Sequence, residues 1–319
     1  MSEAMTAHPR LSLARVHEAA RRIDPIFLNS PQFESEALGE MLGLRLTLKL
    51  ETLNPLRSFK GRGADFLVGK LSELEAAPPL VCASAGNFGQ AVAYAARKHG
   101  MPVTIYAARK ANTLKVARMR ALGADVRLEG EDFDGAKLAA KAFARETGAR
   151  MLEDSLDPET AEGAGTIGLE LLILKDLPES LVVPLGNGAL INGIGLVLKS
   201  VRPDVQIVAV QAEGAPAMVE SWRTGQVVTT ERAETIADGI AVRLPVPEAV
   251  ADMAGLVDDA VLVSEAAILR AMKLVQEHVG IVAEGAGAVG VAALLEHPEV
   301  FRGRHVGTII CGSNVTPAI

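Results

Sequence analysis

Aromatic side chains are scarce, at 3% of the 319 residues, with one tryptophan and two tyrosines. A protein that stacks single-stranded bases needs such rings, and one that neutralises phosphates needs excess positive charge. The formal net charge is −7, so no nucleic-acid partner is expected. Cysteine occurs twice, as Cys82 and Cys311, without CxxC spacing. That excludes a disulfide framework and suits a reducing, cytoplasmic setting. The six histidines (His8, His17, His99, His278, His297, His305) keep no metal-ligand spacing, and no zinc centre is expected. The N-terminal MSEAMTAHPR carries an early acid and no apolar core, unlike a secretory leader. One run, SLVVPLGNGALINGIGLVL (180–198), holds no charge. Pro184, Asn187, Asn192 and its glycines break it into strand, loop and helix, so it is read as buried and not as a membrane span.

What is present is the balance of a globular protein, 49% hydrophobic and 22% charged. The length suffices for one large α/β domain or two smaller ones. LSLARVHEAARRI (11–23) has helical spacing, LRLTLKLE (44–51) alternates as a strand, and a helix is expected from Lys60 to Leu71. From residue 80 onwards strands and helices alternate: LVCAS, PVTIYAA and ADVRL each lead into a helix ending near Gly100, Gly123 or Gly148. The alternation resumes with a helix over 164–175 and runs to the last strand, HVGTIICG (305–312). Such alternation means parallel sheets wound with helices, and the length suggests two of them.

Three loops follow a strand and precede a helix or the chain end, where α/β proteins place ligands. In SAGNFGQ (84–90), Ser84 and Asn87 can cap a helix, and the free N–H groups of its first turn favour an anion. In PLGNGALING (184–193), Gly186 and Gly188 let the backbone approach a ligand ahead of a helix, which makes a phosphate cradle. It is no dinucleotide fingerprint, because Ile191 stands where GxGxxG requires glycine, and no GxxxxGK[ST] loop occurs. In CGSNV (311–315), Cys311 sits at a strand end, as a polar group or as an ordinary apolar filler. Lys60, in SFKGRGA (58–64), is either a surface charge on a first helical turn or a nucleophile at a strand-to-helix junction. Together, a junction lysine, an anion-binding helix start, a phosphate cradle and a late small polar group suit a phosphorylated aldehyde cofactor held as a Schiff base.

Seven blocks, SFKGRGA, ASAGN, EGAGTIGLE, PLGNGALINGIG, IADGIAV, EGAGAVGVAAL and CGSNV, occur in the order and approximate spacing of the serine/threonine dehydratases. The chain therefore resembles these pyridoxal-phosphate enzymes of the tryptophan-synthase-β-like fold (fold type II) over residues 25–315. The resemblance implies two parallel-sheet domains wound with helices: a large cofactor-binding domain, 1–78 and 155–319, and a small mobile one, 79–154. It implies that Lys60 forms the Schiff base, positioned by Ser58 and Phe59, with the glycines at 61 and 63 letting the helix start pack tightly. Asn87 would face the cofactor's phenolic oxygen, and the backbone of Gly186, Asn187, Gly188, Ala189 and Leu190 would hold its phosphate. Ser84, Ala85, Gly86 and Asn87 would grip the substrate carboxylate. Cys311 stands where the family has serine, against the pyridine nitrogen, and a neutral partner there favours β-elimination over transamination. The implied activity is α,β-elimination of a β-hydroxy amino acid such as L-threonine or L-serine to a 2-oxo acid and ammonia, by a homodimer or homotetramer.

Departures from the family pattern sharpen these expectations. Ala85 replaces the second serine of the racemase loop, so elimination is expected without racemisation. Phe88 replaces a histidine of the pocket wall. Gln211 and Pro216 stand where metal-activated members carry acids, so no metal is expected there, although Glu213 lies nearby. Arg57 replaces a small residue; an arginine there is either solvated or a receptor for a second substrate carboxylate, as in a hydroxyaspartate. β-Replacement on the same cofactor and a catalytically inactive binding subunit remain alternatives. No regulatory domain is expected after CGSNV.

Overall fold

The computed structural model describes residues 10–315; the expectation about a leader concerns residues 1–9 as well as Arg10, and 1–9 lie outside the described residues. The helices are α1 (Leu13–Arg22), α2 (Glu36–Leu42), α3 (Lys60–Ser72), α4 (Asn87–Lys98), α5 (Thr113–Ala121), α6 (Phe133–Thr147), α7 (Pro158–Leu171), α8 (Ala189–Val201), α9 (Ala217–Thr224), α10 (Pro247–Asp252), α11 (Glu265–Val279), α12 (Gly285–Glu296) and α13 (Pro298–Phe301). The strands are β1 (Gln32–Glu34), β2 (Arg45–Leu50), β3 (Leu80–Ala83), β4 (Val103–Ala107), β5 (Asp125–Leu128), β6 (Arg150–Leu152), β7 (Ser180–Pro184), β8 (Gln206–Ala212), β9 (Asp259–Val263) and β10 (His305–Ile310).

They form two sheets, a six-stranded one in the order β1-β2-β10-β7-β8-β9 and a four-stranded one in the order β5-β4-β3-β6. Every neighbouring pair is parallel except β1 with β2, an antiparallel edge that the alternating pattern does not announce. The uncharged run becomes β7, a loop and α8, and among the described residues no helix is long and apolar enough to cross a membrane.

Two differences from the sequence expectation have physical causes. β6 spans only three residues, too few to show a period, and is recognisable as a strand through its pairing with β3. α7 begins at Pro158 and not at Ala164, with proline in its first turn, where a missing N–H costs nothing. Glycines at 163 and 165 obscure that start, yet they are there for contact. A Cβ on Gly163 would lie 2.5 Å from Gly63 Cα, and one on Gly63 would lie 2.5 Å from Thr160 O. α3 and α7 therefore meet backbone to backbone.

α3 ties the two sheets together. Its Ala64, Phe66, Leu67 and Val68 join the core that packs on the four-stranded sheet, with Ala19, Ile23 and Phe27. Phe59, just before it, joins the core of the six-stranded sheet. Between them lies a buried group of four charges, in which the cations of Lys49 and Arg62 face the carboxylates of Glu51 and Glu170. Arg62 is fully buried and donates from Nε and Nη2 to Glu51, each at 2.8 Å, and from Nη1 to Glu170 at 2.5 Å. Lys49 Nζ donates to the other oxygen of Glu170 at 2.5 Å. Burial pushes the Glu170 carboxyl up, but the hydrogen bonds and charge of Arg62, joined by Lys49, outweigh it and hold the group below its usual range.

Removing one member strands its partners. Arg62→Met leaves two buried carboxylates without their shared cation and is expected to cost about 3–5 kcal/mol in urea unfolding at pH 7. The folded value of Glu170 lies below its unfolded one, so its contribution is full above the ordinary carboxylate range of about 4.3. It is lost as pH falls through the folded value. The gap between wild type and variant should accordingly narrow in acid.

Candidate active site

Lys60 is the first residue of α3, and the turn before it is pinned from two sides. Asn54 Nδ2 donates to Ser58 O at 3.1 Å while Asn54 Oδ1 accepts from Leu56 N at 2.9 Å. Phe59 N donates to Cys311 O at 3.1 Å, Ser313 N donates to Arg57 O at 2.9 Å, and Ser58 bridges Gly312. The SFK turn and the CGSN segment are thus laced together, which sets Cys311 beside Lys60. The Lys60 ammonium lies 4.4 Å from the centre of the Phe59 ring and donates to Asp154 Oδ2 at 2.6 Å.

Asp154 begins the connection from β6 to α7. Its neighbour Ser155 has φ +68 and accepts through Oγ from Ala189 N at 3.0 Å, at the start of α8. That start is the glycine loop of the sequence. Gly188 holds φ +102, a left-handed conformation that favours glycine, and a Cβ on Gly186 would lie 2.9 Å from Gly239 O. Among the described residues the N–H groups of Gly186, Asn187 and Gly188 find no protein acceptor, and Leu190 lies in the open first turn of α8. An anion seated there would gain those donors and the positive end of a thirteen-residue helix.

The third loop closes over the other side. Ser84 Oγ accepts from Gly86 N at 3.2 Å and Gly89 N at 3.0 Å, so this hydroxyl shapes its own loop as a helix cap does. The N–H groups of Ala85, Asn87 and Phe88 have no protein acceptor among the described residues, and they suit a carboxylate. Asn87 is fixed by both ends of its amide. Nδ2 donates to Glu284 Oε1 at 2.7 Å, and Oδ1 accepts from Asn314 Nδ2 at 2.8 Å. Glu284 is buried and accepts from Asn314 N at 2.9 Å; burial, reinforced by the Asp238 charge, pushes its carboxyl up. The Cys311 thiol donates to Ala286 O at 3.3 Å, and burial together with the Glu284 charge pushes it up as well, which keeps it neutral. Phe88 is buried in the core of the four-stranded sheet.

Arg57, the candidate carboxylate receptor, and Gln211, the position at which no metal is expected, make no side-chain hydrogen bond to Lys60 or to the glycine loop among the described residues. Arg57, at φ +51, is exposed and lines an open cavity of about 610 Å³ with Thr52, Leu53, Asn54, Ile281, Val282 and Ser313, so the cavity borders the CGSN segment, whereas Lys60 and the residues of the other two loops do not line it. Gln211 is fully buried, accepts from Val219 N at 3.1 Å and donates to Ile240 O at 3.4 Å, while Glu213 is exposed. Among the described residues no three His, Cys, Asp or Glu side chains cluster as metal ligands. Asp154 and Glu284, by contrast, escape sequence inspection. Glu284 opens the EGAGAVG block without a visible role, and Asp154 lies in a stretch with no periodicity.

The amine, the anion cradle and the glycine-lined approach fit pyridoxal phosphate, and comparison with known proteins agrees. The family model for pyridoxal-phosphate dependent enzymes matches residues 23–312. The L-threonine ammonia-lyase of Thermotoga maritima is 41% identical over 307 residues, 96% of this chain and 76% of the relative. The crystal structure of the threonine deaminase from T.th. superposes with a TM-score of 0.89 at 32% identity, covering 97% of this chain and 100% of that one. Maize serine racemase gives 0.88 at 29% identity, covering 96% and 94%.

Asn87→Ala would leave Glu284 Oε1 without its donor in a buried site and would take from Asn314 Nδ2 one of its two acceptors, Leu56 O remaining. A loss of about 1–3 kcal/mol is expected on chemical denaturation. By its family model and its relatives, this chain belongs to the pyridoxal-phosphate-dependent enzymes of fold type II, as a lyase of the serine/threonine dehydratase group.

Proposed function

We propose that the protein removes water and ammonia from a β-hydroxy amino acid, L-threonine or L-serine, to yield a 2-oxo acid, with Lys60 as the catalytic amine. The observation that carries this is the placement of Lys60 Nζ: it contacts Asp154, which adjoins the Ser155 cap on the α8 start, and its own turn is laced to Cys311. Pyridoxal phosphate supplies an electron sink that acidifies the α-carbon of a bound amino acid. Everything else falls to the chain's own residues.

The N–H groups of Gly186 to Gly188 and the first turn of α8 hold the phosphate. The free N–H groups of Ala85, Asn87 and Phe88 hold the substrate carboxylate, which fixes the α-carbon relative to Lys60. Lys60 would hold the cofactor, and its free amine would accept the α-proton at Nζ. Asn87 is locked between Glu284 and Asn314, and the remaining N–H of its amide would serve the cofactor's ring oxygen. Cys311, a neutral thiol, offers the ring nitrogen no negative charge that would keep it protonated. Ala85 supplies no hydroxyl for proton transfer on the opposite face, in line with elimination in place of racemisation. The same reading takes the protein as a cytoplasmic homodimer or homotetramer; both cysteines are buried free thiols, as a reducing compartment allows.

The purified protein should show a yellow absorption band, and adding L-threonine should shift it while 2-oxobutanoate and ammonia accumulate. Lys60→Ala should lose both the band and the turnover. A band in Lys60→Ala would overturn the assignment of the amine. A wild-type band indifferent to threonine and serine alike would overturn the substrate class. With L-serine as substrate, chiral analysis should find pyruvate and no D-serine, whereas D-serine would refute the role given to Ala85.

A further inference from the structure

The mechanism above leaves Asp154 unused, although it touches the atom on which the chemistry begins. Its Oδ2 lies 2.6 Å from Lys60 Nζ, and both side chains are mostly withdrawn from water, at 16% and 18% exposure. Its other oxygen, Oδ1, is buried without a hydrogen-bond partner. Lys60 Nζ has no second polar partner among the described residues. A carboxylate placed only to balance a charge would satisfy both oxygens with fixed donors, as Glu51, Glu170 and Glu284 do.

The segment that carries Asp154 is held rigidly on both sides. Glu153 pairs with Lys137 and Lys141, and its N–H donates to Asp157 Oδ2 at 2.8 Å. Ser155 N donates to Thr160 Oγ1 at 3.0 Å, while Arg10 donates to the carbonyls of Ser155 and Leu156 at 2.8 and 3.0 Å. Asp154 therefore sits at a set position relative to both the amine and the phosphate cradle, the preorganisation that proton transfer requires.

We propose that Asp154 is the proton-transfer partner of Lys60 when the amine bonds to the cofactor aldehyde. This rests on the assignment of Lys60 made above. An ammonium cannot attack a carbonyl, so Nζ must first lose a proton, and Oδ2 is in place to take it. The Nζ–carbon bond then forms, and the former aldehyde oxygen must leave as water. Two protons pass from Nζ to that oxygen, one of them through Asp154, and the nitrogen keeps one proton and the positive charge. Asp154 ends as the carboxylate it began as, and no outside oxidant, reductant or acid is consumed.

The test uses the full chain stripped of cofactor by hydroxylamine and dialysis. Pyridoxal phosphate is added at pH 7.5, borohydride stops the reaction at intervals, and peptide mass spectrometry measures the reduced adduct at Lys60. Asp154→Asn and Asp154→Ala should load about 100-fold more slowly than wild type, the usual scale for losing a general acid–base. Formate should accelerate Asp154→Ala in proportion to its concentration and leave wild type unchanged, because a free carboxylate replaces the missing one. Melting temperatures of the cofactor-free variants identify any that fail to fold, and the rescue by formate is read on the folded one. Loading of either variant at the wild-type rate or faster would overturn the inference. So would slow loading that formate does not improve, which would reduce Asp154 to a structural contact. If wild type itself shows no adduct at Lys60, the assignment of the amine fails, an outcome distinct from a failure of Asp154 alone.

Discussion

The buried quartet of Lys49, Glu51, Arg62 and Glu170 is the constraint on which the rest depends. Isolated, each charge would be too costly to bury; together they cancel, and each is hydrogen-bonded to an opposite charge. The four residues belong to β2, the turn that follows it, α3 and α7. A shift of α3 along its axis would break bidentate pairing that apolar contacts would tolerate. Arg62 is two residues beyond Lys60, so the quartet sets where the Lys60 amine stands.

Close backbone contact does the complementary work. Where the quartet fixes position, Gly63 and Gly163 fix distance, because any side chain at either would drive α3 and α7 apart. Behind them, Gly193 brings α8 equally close to α7, since a Cβ there would lie 2.0 Å from Ala161 O. The helix that bears Lys60 and the helix that begins at the glycine loop are thus stacked through α7. Beyond the apolar contact of α3 with the four-stranded sheet, helices α5 and α6 beside that sheet reach the loops of the larger sheet through charged side chains: Lys115 with Asp238, Asp134 with Arg243, and Arg118 Nη1 donating to Asn314 Oδ1 at 2.9 Å. The last of these reaches the residue that also fixes Asn87. Arg118, Asn314, Asn87 and Glu284 are in this way one hydrogen-bonded system.

Much of this was legible in the chain, for local reasons. Strand-helix alternation appears as a switch between two periods, and a glycine loop between strand and helix announces an anion site because the helix N–H groups face it. β6 and the start of α7 were not legible: the one is too short to show a period, and the other opens on a proline and runs into glycines placed for contact with α3 and α8. Arg57 shows the limit of reading a substitution by position alone. Three residues from Lys60 in sequence, it lines a cavity that Lys60 does not, with its backbone in a left-handed conformation and its carbonyl tied to Ser313.

By itself the sequence determined the alternating α/β architecture, the family and the cofactor, because each is written in residues close together along the chain. The tertiary structure alone decided which polar groups meet. Lys60 finds Asp154 across 94 residues, and Asn87 finds Glu284 across 197. Neither pairing leaves a local signal, since an acid in a loop looks the same whether it faces water or an amine. What separates the two cases is a distance of a few ångströms, and only the folded chain sets it.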